Sequence, residues 1–291
     1  MDIKKPKSRK STKELLEFSI INIDKPSGPT SFSVSQFVKN VLGLRKTSHL
    51  GTLDPAVTGV LPVALNRACR LNEYLMHRNK VYVGIMRLHE DIDIKKLKSE
   101  MEKFLGKIKQ LPPKKSRVKR AIREREIVKF EILEKEGKDV LFLADVQAGT
   151  YIRKLCSDLG ENIGGAHMLE LRRIKAGLFN EEDKSFVNLY DFEKAVGEYK
   201  EGSEEKLREI LIPGEIIAEV LPTIQIRKDV VTKVLSGSPI FPSFLERNQD
   251  EELKKLNKDD KICVFSGETF IGCYNYIGAD KLFAKPEFVF N

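Results

Sequence analysis

Two hydrophobic periodicities alternate along the first part of the chain, and each predicts a different kind of element. Apolar residues three and four positions apart over 34–42 predict an amphipathic helix, which begins with a capping pattern at Ser33 and ends at Gly43. The apolar segment 80–88 predicts a strand, with Val81, Val83 and Ile85 on one face and Tyr82, Gly84 and Met86 on the other. These two segments indicate a chain that combines helices with sheet.

The other patterned segments extend this picture to the C-terminus. Strands are predicted over 19–24, 127–133 and 140–146, and helices over 64–76, 94–105, 152–159 and 187–211. From about Leu221 the pattern changes to short strands, at 223–226, 263–265, 270–276 and 288–290. The charged segment 1–17 predicts a basic flexible arm. The sequence thus favours an α+β domain over 18–215 and a smaller β-rich domain over 216–291.

Length and charge narrow the functional classes. The 291 residues are enough for two domains with buried cores, and 51 basic against 43 acidic residues give a net charge of +8. This balance favours an anionic partner such as nucleic acid, although many basic proteins bind none. The basic residues are also concentrated, because the segment from Lys107 to Lys129 holds ten Lys or Arg and only two acids.

Cysteine and histidine positions predict neither a metal site nor a disulfide framework. Cys69, Cys156, Cys263 and Cys273 have no Cys-x-x-Cys spacing and no histidine at metal-ligand spacing. Cys263 and Cys273 could face each other across a hairpin, but we expect two buried thiols, which fit a reducing compartment. No apolar run reaches the length of a membrane-spanning helix and no signal-peptide segment follows the basic start, so we expect an intracellular protein without a membrane partner.

The segment from His49 to Leu61 holds a single carboxylate, Asp54, among apolar, small and turn-forming residues. Pro55 disfavours the helical conformation at Asp54, and Gly51 precedes it, so we expect Asp54 on a fixed loop. A carboxylate held among apolar neighbours suits an acid, a base or a nucleophile. An aspartate that only closes a turn beside a proline is the alternative, and local pattern alone favours that alternative.

A resemblance changes this balance. The pattern His49-x-Gly51-x-Leu53-Asp54-Pro55-x-x-x-Gly59-x-Leu61 resembles the central motif of the TruB family of pseudouridine synthases, which includes the dyskerin-type catalytic subunit of H/ACA ribonucleoproteins. In that family the aspartate is the catalytic nucleophile, so the resemblance implies this role for Asp54. It also implies that His49 helps to open the RNA stem, whereas a lone histidine would more simply be structural.

The same resemblance implies functional roles for residues in two further segments, 80–88 and 165–173. A tyrosine on the strand over 80–88 is the family's base-stacking residue, which implies that Tyr82 stacks on a flipped uridine. The segment 165–173 also matches the family and places Leu171 at an apolar position of the pocket wall. Without the resemblance, Tyr82 would be a core or edge-strand tyrosine and Leu171 another core leucine.

The segment Gly149-Thr150-Tyr151-Ile152-Arg153 resembles the family's third motif. There the arginine pairs with the catalytic aspartate and the tyrosine lines the pocket, which implies these roles for Arg153 and Tyr151. We expect a buried Arg153–Asp54 pair, because a buried guanidinium would keep the carboxylate ionised and correctly oriented. An exposed arginine in the first turn of a helix is the alternative for Arg153.

A basic run and the C-terminal segment complete the resemblance. The run containing Lys114, Lys115, Arg117, Lys119 and Arg120 resembles the thumb loop that closes over substrate RNA in dyskerin-type members. A solvated charged loop is the alternative, and both can hold if a phosphate backbone orders the loop. The last 75 or so residues resemble a PUA domain, with a shorter segment near 272–285 than is typical.

The resemblance implies a catalytic domain with a mixed, mainly antiparallel sheet, followed by a PUA β-barrel. It implies isomerisation of uridine to pseudouridine in rRNA, with tRNA as a further substrate that stays open. No cofactor is implied, because the reaction only moves the ribose bond from N1 to C5. The archaeal-type H/ACA branch is favoured, with a guide RNA and small protein partners, in the cytoplasm, or in the nucleolus of a eukaryote. Two rivals stay open: a stand-alone enzyme for the tRNA T-loop, and a non-catalytic RNA-binding scaffold.

Overall fold

The structure is a computed structural model that describes residues 4–112, 120–247 and 249–291. Its chain forms two compact units. The larger unit comprises 21–63 and 75–210, and the smaller unit comprises 1–20, 64–74 and 211–291. Each unit therefore combines segments that are distant in sequence.

Helices and strands are interspersed along the described chain. The α-helices are α1 (Lys4–Arg9), α2 (Thr12–Glu17), α3 (Ser31–Leu42), α4 (Asn72–Leu75), α5 (Ile94–Glu102), α6 (Ile152–Asn162), α7 (Leu189–Lys200), α8 (Glu205–Ile210), α9 (Val231–Leu235) and α10 (Asp250–Lys254). The strands are β1 (Ser19–Lys25), β2 (Thr47–His49), β3 (Thr58–Leu65), β4 (Lys80–Leu88), β5 (Gly106–Gln110), β6 (Arg123–Glu136), β7 (Asp139–Val146), β8 (Ala166–Ala176), β9 (Phe179–Asn180), β10 (Phe186–Asn188), β11 (Leu211–Pro213), β12 (Thr223–Gln225), β13 (Lys261–Ser266), β14 (Thr269–Ala279) and β15 (Leu282–Val289). Short 3₁₀ helices lie at Asn66–Leu71, Gly214–Glu219, Lys228–Val230 and Pro242–Phe244.

A mixed sheet forms the centre of the larger unit. Its main path runs β10-β1-β3-β8-β4-β7-β6-β5. The pairs β1–β10 and β3–β8 are parallel, whereas β8, β4, β7, β6 and β5 pair with one another in antiparallel fashion. The predicted α+β class with a mixed, mainly antiparallel sheet is confirmed.

Strand β4 shows why the hydrophobic pattern was informative. Tyr82, Gly84 and Met86 are buried, while the intervening residues are only half-buried. The strand predicted over 80–88 is confirmed. The face that carries Tyr82 is the buried one, because a sheet with one covered face buries every second side chain of a strand. The covered face continues onto β7 and β8, where Phe142 and Leu171 are buried.

The N-terminal segment differs from the flexible arm predicted over 1–17. From residue 4 it contains α1 and α2, and Ser11 and Glu14 form a capping box at the start of α2. Leu15 and Phe18 are fully buried, and the Phe18 ring lies 4.4 Å from the Phe290 ring, both in the smaller unit. Because charged residues dominate the sequence pattern here, it did not indicate these helices or the buried Leu15.

Three elements near Asp54 in the sequence also differ from expectation. The cap of α3 is Thr30, whose side chain accepts the Ser33 N–H, so the helix starts before the predicted Ser33. Residues 58–65 form β3, which the sequence pattern did not predict, and the predicted helix over 64–76 is a 3₁₀ turn followed by α4. Gly59 has φ +96°, and a Cβ there would lie 2.2 Å from the Arg173 carbonyl, so this strand requires a glycine where it meets β8.

The smaller unit contains a four-stranded sheet in the order β12-β13-β14-β15. The first pair is parallel and the other two are antiparallel. Its core is formed by buried aliphatic and aromatic side chains: Ile224, Ile226, Val234, Ile240, Ile262, Val264, Ile271, Tyr274 and Phe283. Cys263 and Cys273 face each other across β13 and β14 as buried free thiols, as expected from the sequence. Burial raises the pKa of the Cys263 thiol to about 11.

Candidate active site

Asp54 lies on the loop between β2 and β3, and its neighbours in sequence are fixed by the larger unit. The Ser31 hydroxyl accepts the Leu53 N–H at 2.8 Å and donates to the Leu53 carbonyl at 3.0 Å. On the other side, the Val57 N–H donates to the Asp54 carbonyl at 3.0 Å and closes a turn through Pro55. The main chain at Asp54 is therefore held on both sides, as a fixed loop requires.

Beneath this loop lies the fully buried side chain of Lys25, at the end of β1. Its ammonium donates to the carbonyls of Pro26, Pro55 and Val57 at 2.8, 2.9 and 2.8 Å. Burial lowers the pKa of Lys25, and attraction by Asp54 opposes that shift. Lys25 thus ties the loop to β1 and places a positive charge near the carboxylate.

Arg153 lies in the first turn of α6, and its Nη2 is 2.7 Å from Oδ2 of Asp54. The two side chains are 48% and 49% exposed. The sequence analysis predicts a buried pair, and that prediction is wrong. The reason is that α6 packs on the sheet through Ile152, Leu155 and Cys156, which leaves Arg153 on the open side of the helix.

Tyr82 and Leu171 lie on adjacent strands of the covered sheet face and are each 8% exposed. Tyr82 is opposite Arg173, and Leu171 is opposite Gly84, in the register of β4 with β8. A Cβ at Gly84 would lie 2.8 Å from Cδ1 of Leu171, so the glycine leaves room for that leucine. The register therefore places the predicted stacking residue and the predicted wall residue next to each other.

Arg173 is a buried residue that the sequence analysis did not single out. It is 1% exposed, and its guanidinium donates to the Val60 carbonyl at 2.8 Å and to the Gly51 carbonyl at 3.0 Å. The Tyr82 hydroxyl also hydrogen-bonds with it, and burial lowers the pKa of Arg173. One side chain thus connects both ends of the Asp54 loop to Tyr82. Its alternation with Leu171 on β8 is the sequence signal that places both on one face.

Lys80 and His49 lie close enough to Arg173 for its charge to act on both. Lys80 is 5% exposed and donates to the carbonyls of Met76 and Arg78, and burial followed by repulsion from Arg173 lowers the pKa of Lys80 to about 8. Burial and Arg173 also lower the pKa of His49, whose Nε2 is 3.2 Å from the Thr52 hydroxyl. We call Lys25, Lys80 and Arg173 the floor of the site, because all three are buried and bind main-chain carbonyls.

Tyr151 is the N-cap residue of α6, two positions before Arg153. Its N–H donates to Oε1 of Gln110 at 3.0 Å, and its carbonyl accepts from Nε2 of Gln110 at 3.3 Å. Gln110 is 2% exposed and lies at the end of β5. The sequence analysis did not identify Gln110, because no local pattern links it to a residue 41 positions away.

The remaining predicted site residues lie in or beside the basic run. Arg120 is exposed, whereas Lys114, Lys115, Arg117 and Lys119 lie outside the residues that the structure describes. Within the described ranges, no group of three or more His, Cys, Asp or Glu is arranged to hold a metal ion. In the same ranges, none of the helices combines the length and apolar character needed to cross a bilayer.

Comparisons with known proteins relate this geometry to a family. Residues 39–152 match the TruB family pseudouridylate synthase N-terminal domain, and residues 153–219 match the tRNA pseudouridylate synthase B C-terminal domain. The chain is 43% identical over 263 residues to a probable tRNA pseudouridine synthase B of Methanopyrus kandleri, which covers 90% of this chain and 76% of that protein. It belongs to the TruB family of pseudouridine synthases. It is therefore an isomerase that acts on RNA.

Further TruB-family relatives support this assignment. A probable tRNA pseudouridine synthase B of Thermococcus gammatolerans is 45% identical over 264 residues, covering 90% of this chain and 77% of that protein. A chain in the crystal structure of a Cbf5-Nop10-Gar1 complex superposes with a TM-score of 0.88 at 35% identity, covering 98% of this chain and 88% of that one. A chain in an H/ACA RNP bound to a substrate RNA gives 0.87 at 34% identity, with 98% and 89% covered. The four-stranded sheet of the smaller unit is consistent with a PUA-like domain.

Proposed function

We propose that this pseudouridine synthase is the catalytic subunit of an H/ACA ribonucleoprotein, which isomerises uridines of ribosomal RNA selected by a guide RNA. The observation that carries this proposal is the likeness over 98% of the chain to proteins solved in a Cbf5-Nop10-Gar1 complex and in an H/ACA RNP bound to substrate RNA. The partners are then a guide RNA, the substrate RNA and small proteins of the Nop10 and Gar1 kind. We place this assembly in the cytoplasm.

The site supplies the groups that this isomerisation needs. In the proposed mechanism, Asp54 attacks C1′ of the ribose while the bond from C1′ to N1 of uracil breaks. The freed base turns, C5 bonds to C1′ as Asp54 leaves, the proton on C5 is lost, and N1 takes up a proton. Arg153, 2.7 Å from Asp54, favours the ionised carboxylate that this attack requires.

The neighbouring residues hold the base. Tyr82 stacks on the flipped uracil, Leu171 forms the apolar wall, Tyr151 lines the pocket, and His49 helps to open the RNA stem. Because the Asp54–Arg153 pair is half exposed, water must be excluded by the RNA itself when it docks over the loop. Lys114, Lys115, Arg117, Lys119 and Arg120 then bind phosphates of that RNA.

A second function is favoured by a different observation. The curated relatives at 43–45% identity are named probable tRNA pseudouridine synthase B, which supports a stand-alone activity on tRNA. Both functions use the same chemistry, and they differ in whether a guide RNA presents the uridine. A scaffold that binds RNA without catalysis is the third possibility.

Single-turnover conversion of uridine to pseudouridine distinguishes the three. The substrates are a T-loop tRNA and an rRNA fragment, each tested with the protein alone and then with a matching guide RNA and the small partner proteins. We expect conversion of the rRNA fragment only in the assembled complex. Conversion of tRNA by the protein alone would favour the stand-alone enzyme, and tight RNA binding without any conversion would favour the scaffold.

A further inference from the structure

The carboxamide of Gln110 makes an unusual pair of contacts with a single distant residue. Its oxygen accepts the Tyr151 N–H at 3.0 Å, and its nitrogen donates to the Tyr151 carbonyl at 3.3 Å. Two antiparallel hydrogen bonds to the same residue resemble a rung of a sheet ladder, and they fix both the position and the orientation of that peptide. Gln110 is 2% exposed, so water does not compete for these bonds.

Tyr151 is the residue at which α6 starts. Its carbonyl accepts the Leu155 N–H at 3.0 Å, the first hydrogen bond of the helix, and its side chain makes no capping hydrogen bond. The first N–H groups of a helix have no partner within the helix, so the path of the chain there depends on outside contacts. Gln110 supplies such a contact at the point where the helix begins.

Arg153 follows two residues later and pairs with Asp54 at 2.7 Å. Because both side chains are about half exposed, their surroundings do not fix the pair, and its geometry depends on the main chain at each end. Ser31 and Lys25 hold the main chain on the Asp54 side. On the Arg153 side, the buried carboxamide of Gln110 holds the main chain by its two hydrogen bonds to Tyr151.

We propose that Gln110 is a positioning residue for pseudouridine formation, which holds the start of α6 so that Arg153 meets Asp54. This inference rests on the roles given to Asp54 and Arg153 in the proposed function. Gln110 touches neither the substrate nor the reacting atoms. It acts through the main chain of Tyr151.

The test compares Gln110→Met with the wild type in the fully assembled, substrate-bound enzyme. Methionine keeps the length and apolar packing but removes both hydrogen bonds. We expect the single-turnover rate constant to fall between about 10- and 100-fold, because small displacements of a catalytic group have effects of that size. The dissociation constant for substrate RNA should not change. Gln147→Met is the matched control, because Gln147 is exposed and its oxygen accepts only the Glu126 N–H among the contacts seen, so its rate should equal that of the wild type.

A double-mutant cycle separates positioning from general stability. In an Arg153→Lys background, the planar guanidinium that Gln110 positions is already absent. Adding Gln110→Met there should lower the rate less than about twofold. An equal fall in both backgrounds would overturn the proposal, as would a wild-type rate for Gln110→Met. The proposed function is tested separately, by activity of the wild type and inactivity of Asp54→Asn. A failure of the Gln110 proposal therefore leaves the proposed function standing.

Gln110→Glu provides a second variant if the methionine variant does not fold. An ionised glutamate lacks the donor and repels the Tyr151 carbonyl, whereas a protonated glutamate restores both bonds. The rate of Gln110→Glu relative to the wild type at the same pH should therefore rise as the pH falls from 8 to 5.5. A ratio that is constant over this range would overturn the proposal.

Discussion

Positive charge lies in two different settings around Asp54. Arg153 pairs with the carboxylate at the surface, with about half of its side chain exposed. The floor residues Lys25, Lys80 and Arg173 are buried and bind main-chain carbonyls instead of a carboxylate. Exposed ion pairs contribute little to stability, whereas a buried cation whose partners would be left unpaired contributes much more.

From this difference we propose that Arg153 serves the reaction, whereas the three buried cations hold the main chain of the site. The surface pair can rearrange when RNA docks, because solvent or substrate can replace each contact. The floor has no such freedom, since each of its ammonium or guanidinium groups is buried and bound to main-chain carbonyls. Lys25 and Arg173 hold the Asp54 loop in this way, and Lys80 binds the carbonyls of Met76 and Arg78. We therefore expect changes at the surface pair to affect turnover, and changes in the floor to affect folding.

The largest effect is expected for Asp54→Asn. Loss of the nucleophile should lower turnover by more than about 10³-fold. The free energy of unfolding should change by less than about 0.5 kcal/mol, because the side chain is half exposed. Single-turnover kinetics and urea unfolding measure the two quantities. Asp139→Asn is the control, as Asp139 forms an exposed pair with Arg87 at 2.6 Å, and turnover should be unchanged. A folding defect in Asp54→Asn would remove the distinction between the two settings.

Arg173→Met should give the opposite pattern. Removing the guanidinium leaves the carbonyls of Gly51 and Val60 without their donor, which we expect to lower the free energy of unfolding by about 2–4 kcal/mol. Arg87→Met, at an exposed pair, should change it by less than about 1 kcal/mol. Urea titrations of the two variants test this contrast. Equal stability would show that the buried cation is tolerated rather than required.

Arg153→Lys probes the surface pair more finely. Lysine keeps the charge but loses the planar fork, so turnover should fall between about 10- and 100-fold. Thermal unfolding should remain within a few degrees of the wild type, since the replaced side chain is about half exposed. A wild-type rate would show that charge alone, without fixed geometry, is sufficient next to Asp54.

Lys80 gives the smallest effect and depends on pH. Its pKa is lowered to about 8, so above that pH the folded protein binds fewer protons than the unfolded chain, in which lysine keeps its proton up to its ordinary range. The stability of the wild type relative to Lys80→Met should therefore rise between about pH 8 and 10, by at most about 1.4 kcal/mol per pH unit. Urea unfolding at pH 7.5 and 9.5 measures this slope, and a falling difference would contradict the lowered pKa.

The sequence predicted the elements whose pattern is local. The apolar segment at 80–88 located β4, and helical spacing located α3, because both patterns lie within a few consecutive residues. It missed β3, where Gly59 and Pro62 are ordinarily strand breakers, and only the close approach of the Arg173 carbonyl explains the glycine. The strand therefore depends on a neighbour more than 100 residues away.

The candidate site likewise contains residues that a local motif identified and residues that it did not. Asp54, Tyr82 and Arg153 could be named because a resemblance attaches to short motifs around them, and their catalytic roles remain predictions. Gln110 and Arg173 could not be assigned a role, since both act by hydrogen bonds to main-chain groups far along the chain. Every residue has a main-chain carbonyl, and nearly every residue a main-chain N–H. A hydrogen bond to such a group therefore leaves no pattern in the sequence.

The long separation between Arg173 and its partners has a consequence for biosynthesis. Arg173 binds carbonyls 113 and 122 residues earlier in the chain, and it comes from β8. A ribosome completes the Asp54 loop long before Arg173 is made, so the nascent chain carries the loop with its contacts to Ser31 and Lys25 available but without those to Arg173. We expect the loop to be ordered only when β8 joins β4, late in synthesis, because contacts between distant residues form slowly. Chains released before that point should therefore lack a formed site even though they contain Asp54 and Arg153.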